Sequence, residues 1–178
     1  MIKSVIKYST KICSFINYLF CVFINSLCAS IYLIFDRPVQ KKVTSTADIV
    51  VVAKDDNKNK ILLIKRGKNP FKGYWAFPGG RIEPTDEDII YTAKRELKEE
   101  TGLTNIGLTY VTTIGNKFRD PRGFTSTSLF MAKLDEIPNG VCAGDDAVDY
   151  YWFDINDLPD MAFDHKDIFN KCCLNNFT

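Results

Sequence analysis

Residues 79–103 read GGRIEPTDEDIIYTAKRELKEETGL, and this stretch decides the fold. Between about Glu87 and Thr101, apolar side chains recur at three- and four-residue spacing, which predicts an amphipathic helix. Its apolar stripe consists of Ile89, Ile90, Ala93 and Leu97. Gly102 stands where a glycine commonly ends a helix, and Gly79 and Gly80 predict a sharp turn before it. We therefore expect a glycine turn, a short loop and a helix.

The segment upstream of this unit has the composition of a β-hairpin. Residues 47–54 and 61–65 are rich in β-branched and aliphatic side chains, which favour strands. A polar turn at residues 55–59 separates them, so we expect the two strands to pair in antiparallel fashion.

The downstream segment predicts three more strands and a last helix. The strands fall at residues 106–114, 126–134 and 150–153, and the helix at 165–174, with Asp164 as its N-cap. Helices and strands do not alternate regularly along the chain. This order indicates an α/β or α+β sandwich, in which helices cover a mixed sheet.

Length and composition fit one globular domain of moderate charge. The chain has 178 residues, a net charge of +1, 25% charged residues and 46% hydrophobic residues. This near-neutral balance argues against a general nucleic-acid binder, so we expect no nucleic-acid partner. The six cysteines form no C-x-x-C pair, which indicates a reducing compartment and neither a disulfide framework nor a zinc site.

The first 40 residues differ from the rest and predict a separate hydrophobic segment before a domain at 41–178. Residues 12–35 contain no charged side chain, and as a helix they would extend roughly 36 Å, enough to cross a bilayer core. A membrane anchor on a cytoplasmic catalytic domain is the favoured interpretation. A cleaved signal peptide and a docked accessory helix are the alternatives.

Three carboxylates cluster on one face of the predicted helix. Glu96, Glu99 and Glu100 stand at positions i, i+3 and i+4, where their charges repel one another. Oxygen ligands of this kind suit a hard cation such as Mg²⁺ or Mn²⁺. A plain surface helix is the alternative, with salt bridges to Lys94, Arg95 and Lys98. The adjacent glycine turn favours the metal site, because glycines let a ligand approach the backbone closely.

The same residues resemble the Nudix box, G-x5-E-x7-R-E-U-x-E-E-x-G-U, where U is a bulky aliphatic residue. The positions that fit the pattern are Glu87, residues 95–97, residues 99–100, Gly102 and Leu103. The resemblance implies an α/β/α sandwich with a mixed sheet. It also implies Mg²⁺-dependent hydrolysis of a nucleoside diphosphate linked to another moiety, with Mn²⁺ as an alternative ion.

One departure from the pattern lies between Gly80 and Glu87, where six residues intervene instead of five. We place the extra residue in the loop at 84–86, where insertions are tolerated. Asp86 then competes with Glu87 for the role of the first acid.

The resemblance also assigns metal ligands. It implies that Glu96 and Glu100 bind the ion, with Glu99 next and the carbonyl of Gly80 as a further ligand.

Catalytic roles follow from the same resemblance. Glu99, Glu96, Arg95 and Glu87 are the catalytic candidates, and Arg95 is expected to orient the box by pairing with Glu87. A Glu or Asp would serve as the base for a water that attacks phosphorus, and Asp145 and Asp146 are weaker candidates for it.

Sequence outside the box resembles ADP-ribose pyrophosphatase-like Nudix proteins. Residues 71–78 (FKGYWAFP) and 119–123 (RDPRG) carry this similarity. It implies a small-molecule nucleotide substrate, ADP-ribose or a related nucleotide sugar. The candidate substrate-binding residues are Arg119, Arg122, Trp75 and Phe118, since guanidinium groups suit phosphate oxygens and aromatic rings stack on bases.

Two other functions remain open from the sequence. One is hydrolysis of modified nucleoside triphosphates, and the other is nucleotide binding by a non-catalytic Nudix module. The resemblance also allows a homodimer. The lone His165 is expected to pack or cap at the start of the last helix and to take no part in catalysis.

Overall fold

The computed structural model describes residues 43–177. The predicted hydrophobic helix at 12–35 lies outside these residues. Within residues 43–177, no helix has the length and apolar character needed to cross a membrane.

Within the described residues, seven strands build one sheet and two α-helices cover it. The strands are β1 (Thr44–Asp55), β2 (Lys58–Arg66), β3 (Trp75–Ala76), β4 (Gly79–Arg81), β5 (Thr109–Asn116), β6 (Thr125–Leu134) and β7 (Ala147–Asp154). The helices are α1 (Ile89–Thr101) and α2 (His165–Ile168). The predicted strands and the helix before Gly102 are present, with bounds shifted by a few residues.

Strand β1 lies at the centre and makes the sheet mixed. It pairs antiparallel with β2, placing Val51 opposite Leu62, and this pairing confirms the predicted hairpin. On its other side it pairs parallel with β6, over ten residue pairs. Strand β4 also pairs with β1, which places Gly80 opposite Ala47. Strand β7 pairs with β2.

Both faces of β1 are buried, which explains its unbroken apolar run. Ile49 and Val51 belong to a core with Ala93 and Leu97 of α1. The alternate residues, such as Val50, belong to a second core that includes α2 and the turns after it. The sheet is therefore sandwiched between helical layers, as predicted.

Helix α1 begins and ends at defined capping residues. The side chain of Asp88 accepts a hydrogen bond from the Tyr91 amide at 2.7 Å, so the helix starts two residues after the predicted point. Gly102 ends it in the left-handed conformation, with φ of 73°, and its N–H bonds to the Lys98 carbonyl. The predicted glycine stop is confirmed.

The last helix differs from the prediction. Helix α2 spans four residues and continues as a π-helical turn (Phe169–Cys173) and a 3₁₀ turn (Leu174–Asn176). Asp164 occupies the N-terminal position, but its side chain makes no capping hydrogen bond. Its carboxylate instead accepts hydrogen bonds from Arg119, which lies 45 residues earlier and could not be identified as a partner from local sequence.

Candidate active site

A polar cavity of about 380 Å³ opens where the glycine turn, helix α1 and the surrounding loops meet. Charged side chains of both signs line it. The cations are Arg66, Lys68, Arg81, Arg119 and Arg122, and the acids are Asp48, Glu83, Glu96, Glu100, Asp120, Asp145 and Asp146. Such a wall can bind an anionic ligand and a cation together.

The glycine turn and α1 form a cradle at one side of this cavity. The Gly79 amide donates a hydrogen bond to Glu100 Oε2 at 2.8 Å. At Gly80, a Cβ atom would collide with the carboxylate of Glu96. A side chain at position 80 would therefore displace Glu96, and this close approach requires glycine.

The two carboxylates of the cradle are buried. Glu100 is 4% exposed and Glu96 is 8% exposed. Burial, together with the negative charge of Glu96, raises the pKa of Glu100 to about 8, although the hydrogen bond from Gly79 opposes this shift. Burial also raises the pKa of Glu96, although Arg95 opposes the shift. Two desolvated carboxylates side by side are unfavourable unless a cation compensates them.

This donor set fits Mg²⁺ or Mn²⁺. Within residues 43–177, no three His, Cys, Asp or Glu side chains are gathered closely enough to hold an ion alone. Mg²⁺ does not require such a cage, because it usually binds one or two carboxylates and takes its other ligands from water and substrate phosphates. Glu96, Glu100 and the carbonyl of Gly80 are the groups that would hold it.

The raised pKa of Glu100 predicts a pH-dependent stability of the metal-free protein. The unfolded chain releases this proton near the ordinary pKa of 4.5, whereas the folded chain keeps it up to about pH 8. The folded state therefore binds more protons in this window, and its stability falls as the pH rises, by ~5 kcal/mol in total for a shift of this size. Urea unfolding in EDTA at several pH values measures this slope.

The Glu100→Gln variant is the control for that slope. It carries no titrating group at position 100, so its stability should depend less on pH. A wild-type slope that persists in this variant would contradict the assignment to Glu100.

Arg95 pairs with Asp86, so the predicted pairing with Glu87 is wrong. Its Nε and Nη2 atoms donate to the two carboxylate oxygens of Asp86, each at 2.9 Å. Hydrogen bonds from Arg95 hold the pKa of Asp86 well below its usual range. Glu87 is exposed. The extra loop residue explains the change, because Asp88 caps the helix and Asp86 turns inward to Thr92.

Arg95 also separates Glu99 from the cradle. Its Nη1 donates to Glu96 Oε1 and to Glu99 Oε2, both at 2.9 Å. The side chain of Glu99 is 44% exposed and does not line the cavity. The structure thus joins Glu96 and Glu100 at the cradle and leaves Glu99 on its outer side.

The two predicted arginines of the RDPRG loop both line the cavity, but they differ in burial and in their acidic partners. Arg119 is buried, and its Nε and Nη2 atoms donate to Asp164 at 3.0–3.3 Å. Arg122 is partly exposed and forms a two-pronged pair with Asp120 at 2.6–3.1 Å. Arg119 therefore braces the wall, and Arg122 is the more accessible of the two.

Trp75 and Phe118 do not line the cavity. The Trp75 ring packs edge-on against Phe153, with a centroid separation of 4.9 Å, on the side of the second core. Phe118 is 83% exposed and carries the Lys117 ammonium over its ring. In this structure neither ring is placed to stack on a ligand in the cavity.

His165 connects α2 to the glycine turn, as expected for a packing residue. Its Nδ1 accepts a hydrogen bond from the Phe77 amide at 3.1 Å, and its ring stacks on that of Phe77. Complete burial lowers its pKa. A neutral His165 with its proton on Nε2, 3.8 Å from Asp48, therefore supports the backbone just before Gly79.

Arg66 and Phe163 are among the cavity residues that sequence reasoning missed. Arg66 ends strand β2, and Phe163 precedes α2 by two residues. No local pattern shows that they lie together, because the fold brings these positions close although they are 97 residues apart.

Comparisons with known proteins agree with this geometry. The NUDIX domain family model matches residues 44–172. An ADP-ribose pyrophosphatase of Methanocaldococcus jannaschii is 45% identical over 118 residues, which is 66% of each chain. The ADPR responsive transcriptional repressor NtrR of Acinetobacter baylyi is 34% identical over 137 residues, covering 75% of this chain and 55% of the repressor.

Solved structures share the fold. The NUDIX domain of Shewanella oneidensis NrtR complexed with ADP ribose aligns with a TM-score of 0.68 and 30% identity, over 79% of this chain and 94% of that one. A second structure is that of a bifunctional NMN adenylyltransferase/ADP ribose pyrophosphatase of Francisella tularensis, complexed with AMP and a manganese ion. It aligns with a TM-score of 0.64 and 29% identity, over 86% of this chain and 47% of that one. Together with the cradle of Glu96 and Glu100, these matches show that the chain belongs to the NUDIX domain family.

Proposed function

We propose that the protein is a Mg²⁺-dependent pyrophosphohydrolase that cleaves the diphosphate of ADP-ribose or a related nucleotide sugar, with Mn²⁺ as an alternative ion. The observation that carries this proposal is the buried pair of Glu96 and Glu100 against the glycine turn, inside a cavity with five cationic side chains. Relatives named for ADP-ribose support the substrate class.

The ion would be held by Glu96, Glu100 and the carbonyl of Gly80. When bound, it would supply positive charge to the phosphate oxygens and favour ionisation of the attacking water. Side chains of the protein would bind the diphosphate and accept the proton of the water.

The cationic wall binds and orients the diphosphate. Arg122 pairs with Asp120 through Nε and Nη2, so its Nη1 group can donate to a phosphate oxygen. Guanidinium groups match phosphate oxygens in charge and geometry. Arg119 stabilises this wall by donating to Asp164, and His165 stabilises the glycine turn by accepting from the Phe77 amide. Holding the diphosphate against the cradle lowers the entropic part of the barrier to water attack.

A carboxylate must accept the proton of the attacking water. Asp145 and Asp146 line the cavity outside the cradle, with Asp146 paired to Lys68, whereas Glu99 is tied to Arg95 and does not line the cavity. We therefore place the base in the Asp145–Asp146 pair, with Glu99 as the alternative. The water proton moves to this carboxylate as the oxygen attacks phosphorus, and the phosphate ester on the other side leaves.

A substrate panel tests this function. With Mg²⁺, the full chain is expected to convert ADP-ribose to AMP and ribose 5-phosphate, and EDTA is expected to abolish the reaction. Sugar nucleotides, dinucleotides and oxidised nucleoside triphosphates complete the panel, with products separated by ion-exchange chromatography. Exclusive release of a nucleoside monophosphate and pyrophosphate from triphosphates would instead support nucleotide-pool cleaning.

A non-catalytic ADP-ribose sensor is the second candidate, because a transcriptional repressor is among the relatives. Retention of both buried carboxylates favours the enzyme. ADP-ribose that binds to the Mg²⁺-loaded protein and is recovered intact after long incubation would favour the sensor. Membrane attachment through residues 12–35 and homodimer formation stay predictions from the sequence.

A further inference from the structure

The Phe163 ring lies next to two guanidinium groups. The Cζ atom of Arg66 lies 5.0 Å from the ring centroid, and that of Arg122 lies 5.8 Å from it. Both distances are within the range of a cation–π interaction. All three residues line the cavity that contains Glu96 and Glu100. One aromatic ring is thus shared by two cations at the wall of the site.

The backbone of Phe163 adopts a conformation that bulky residues avoid. Its φ is 56°, in the left-handed region, where an aromatic residue is an outlier. Its ring is held by Phe71 at a centroid separation of 4.8 Å and by His165 at 5.4 Å. Such strain persists when the surroundings enforce it, and it is concentrated at functional sites.

The two arginines on this ring keep donors for a ligand. Arg66 donates from Nε to the Pro70 carbonyl, and within residues 43–177 no carboxylate lies in ion-pair range of its guanidinium. Partial burial lowers its pKa, but an arginine stays charged at neutral pH. Arg122 uses Nε and Nη2 for Asp120 and keeps Nη1.

We propose that Phe163 is a positioning residue that holds Arg66 and Arg122 as a clamp for the substrate's diphosphate. The ring fixes the direction of two flexible cations by cation–π attraction, so less side-chain entropy is lost when the phosphates bind. The clamp acts beside the cradle and binds phosphate oxygens that the metal ligands do not reach. This inference rests on the proposed function only in assigning a diphosphate to the cavity.

The test measures binding of methylenediphosphonate to the full chain in Mg²⁺ buffer by calorimetry. This compound is a diphosphate analogue that is not hydrolysed, because a CH₂ group replaces the bridging oxygen. Phe163→Leu keeps an apolar side chain but removes the aromatic face, and it should raise the Kd about fivefold. Phe163→Trp keeps an aromatic face and should bind within about twofold of wild type. On any substrate that is cleaved, Phe163→Leu should raise KM more than it lowers kcat.

Phe177→Leu is the matched control. Phe177 carries the Lys133 ammonium 4.8 Å from its ring centroid, but it does not line the cavity. Its substitution should leave the Kd near the wild-type value. Unchanged binding by Phe163→Leu, an equal loss in Phe177→Leu, or no binding by wild type would each overturn the clamp. If ADP-ribose is not cleaved but Phe163→Leu still weakens diphosphate binding, the clamp stands and the proposed substrate fails.

Discussion

Replacing Glu100 with Gln is expected to lower kcat about 10³-fold while the fold is retained, since loss of a metal ligand removes several kcal/mol of transition-state stabilisation. Gln keeps the shape of the side chain and can still accept the hydrogen bond from the Gly79 amide. It removes a buried charge, so the thermal midpoint of the metal-free variant at pH 8 should not fall below that of wild type. Glu96→Gln is expected to behave similarly.

Steady-state kinetics and thermal unfolding, each with and without Mg²⁺, check this result. Glu136→Gln is the matched control, because Glu136 is an exposed acid outside the cavity and should keep wild-type turnover. Mg²⁺ should raise the thermal midpoint of wild type and Glu136→Gln but not that of Glu100→Gln. Full activity of either cradle variant would disprove the metal assignment.

Replacing Asp86 with Asn is the second large effect that we expect. Asp86 receives two hydrogen bonds from Arg95, which also holds Glu96 and the carbonyl of Arg81. Loss of the negative charge weakens the hydrogen bonds that hold Arg95, and Arg95 then orients Glu96 less firmly. Loss of such a partner behind a metal ligand typically costs about 10–100-fold in metal affinity or activity.

Titration of Mg²⁺ against activity measures this effect, and Glu87→Gln is its counterpart. Glu87 is exposed, so that variant should stay close to wild type in metal affinity and in thermal midpoint. A larger loss in Glu87→Gln than in Asp86→Asn would show that the first acid of the box is Glu87 after all.

Local features of the fold were predictable because they depend on neighbours in sequence. The periodicity of residues 89–97 defines α1, and Gly102 ends it through its own conformational freedom. The hairpin of β1 and β2 follows from two apolar runs around a polar turn. The shared face of Glu96 and Glu100 also follows from helical spacing alone.

The roles of the arginines were less predictable, because they depend on which acids the fold places nearby. Arg119 and Arg122 are three residues apart in one loop, yet one is buried against Asp164 and the other is partly exposed beside Asp120. The partner of Arg95 likewise depended on where Asp88 capped α1.

The sequence alone therefore determined helix α1, the long strands, the carboxylate face and the family to which these belong, since each depends on spacing within a short segment. Tertiary structure decided the depth at which Glu100 is buried, the choice of Asp86 over Glu87, and the meeting of Arg66 with Phe163. These depend on burial and on contacts between distant segments, which set the local dielectric and the available partners.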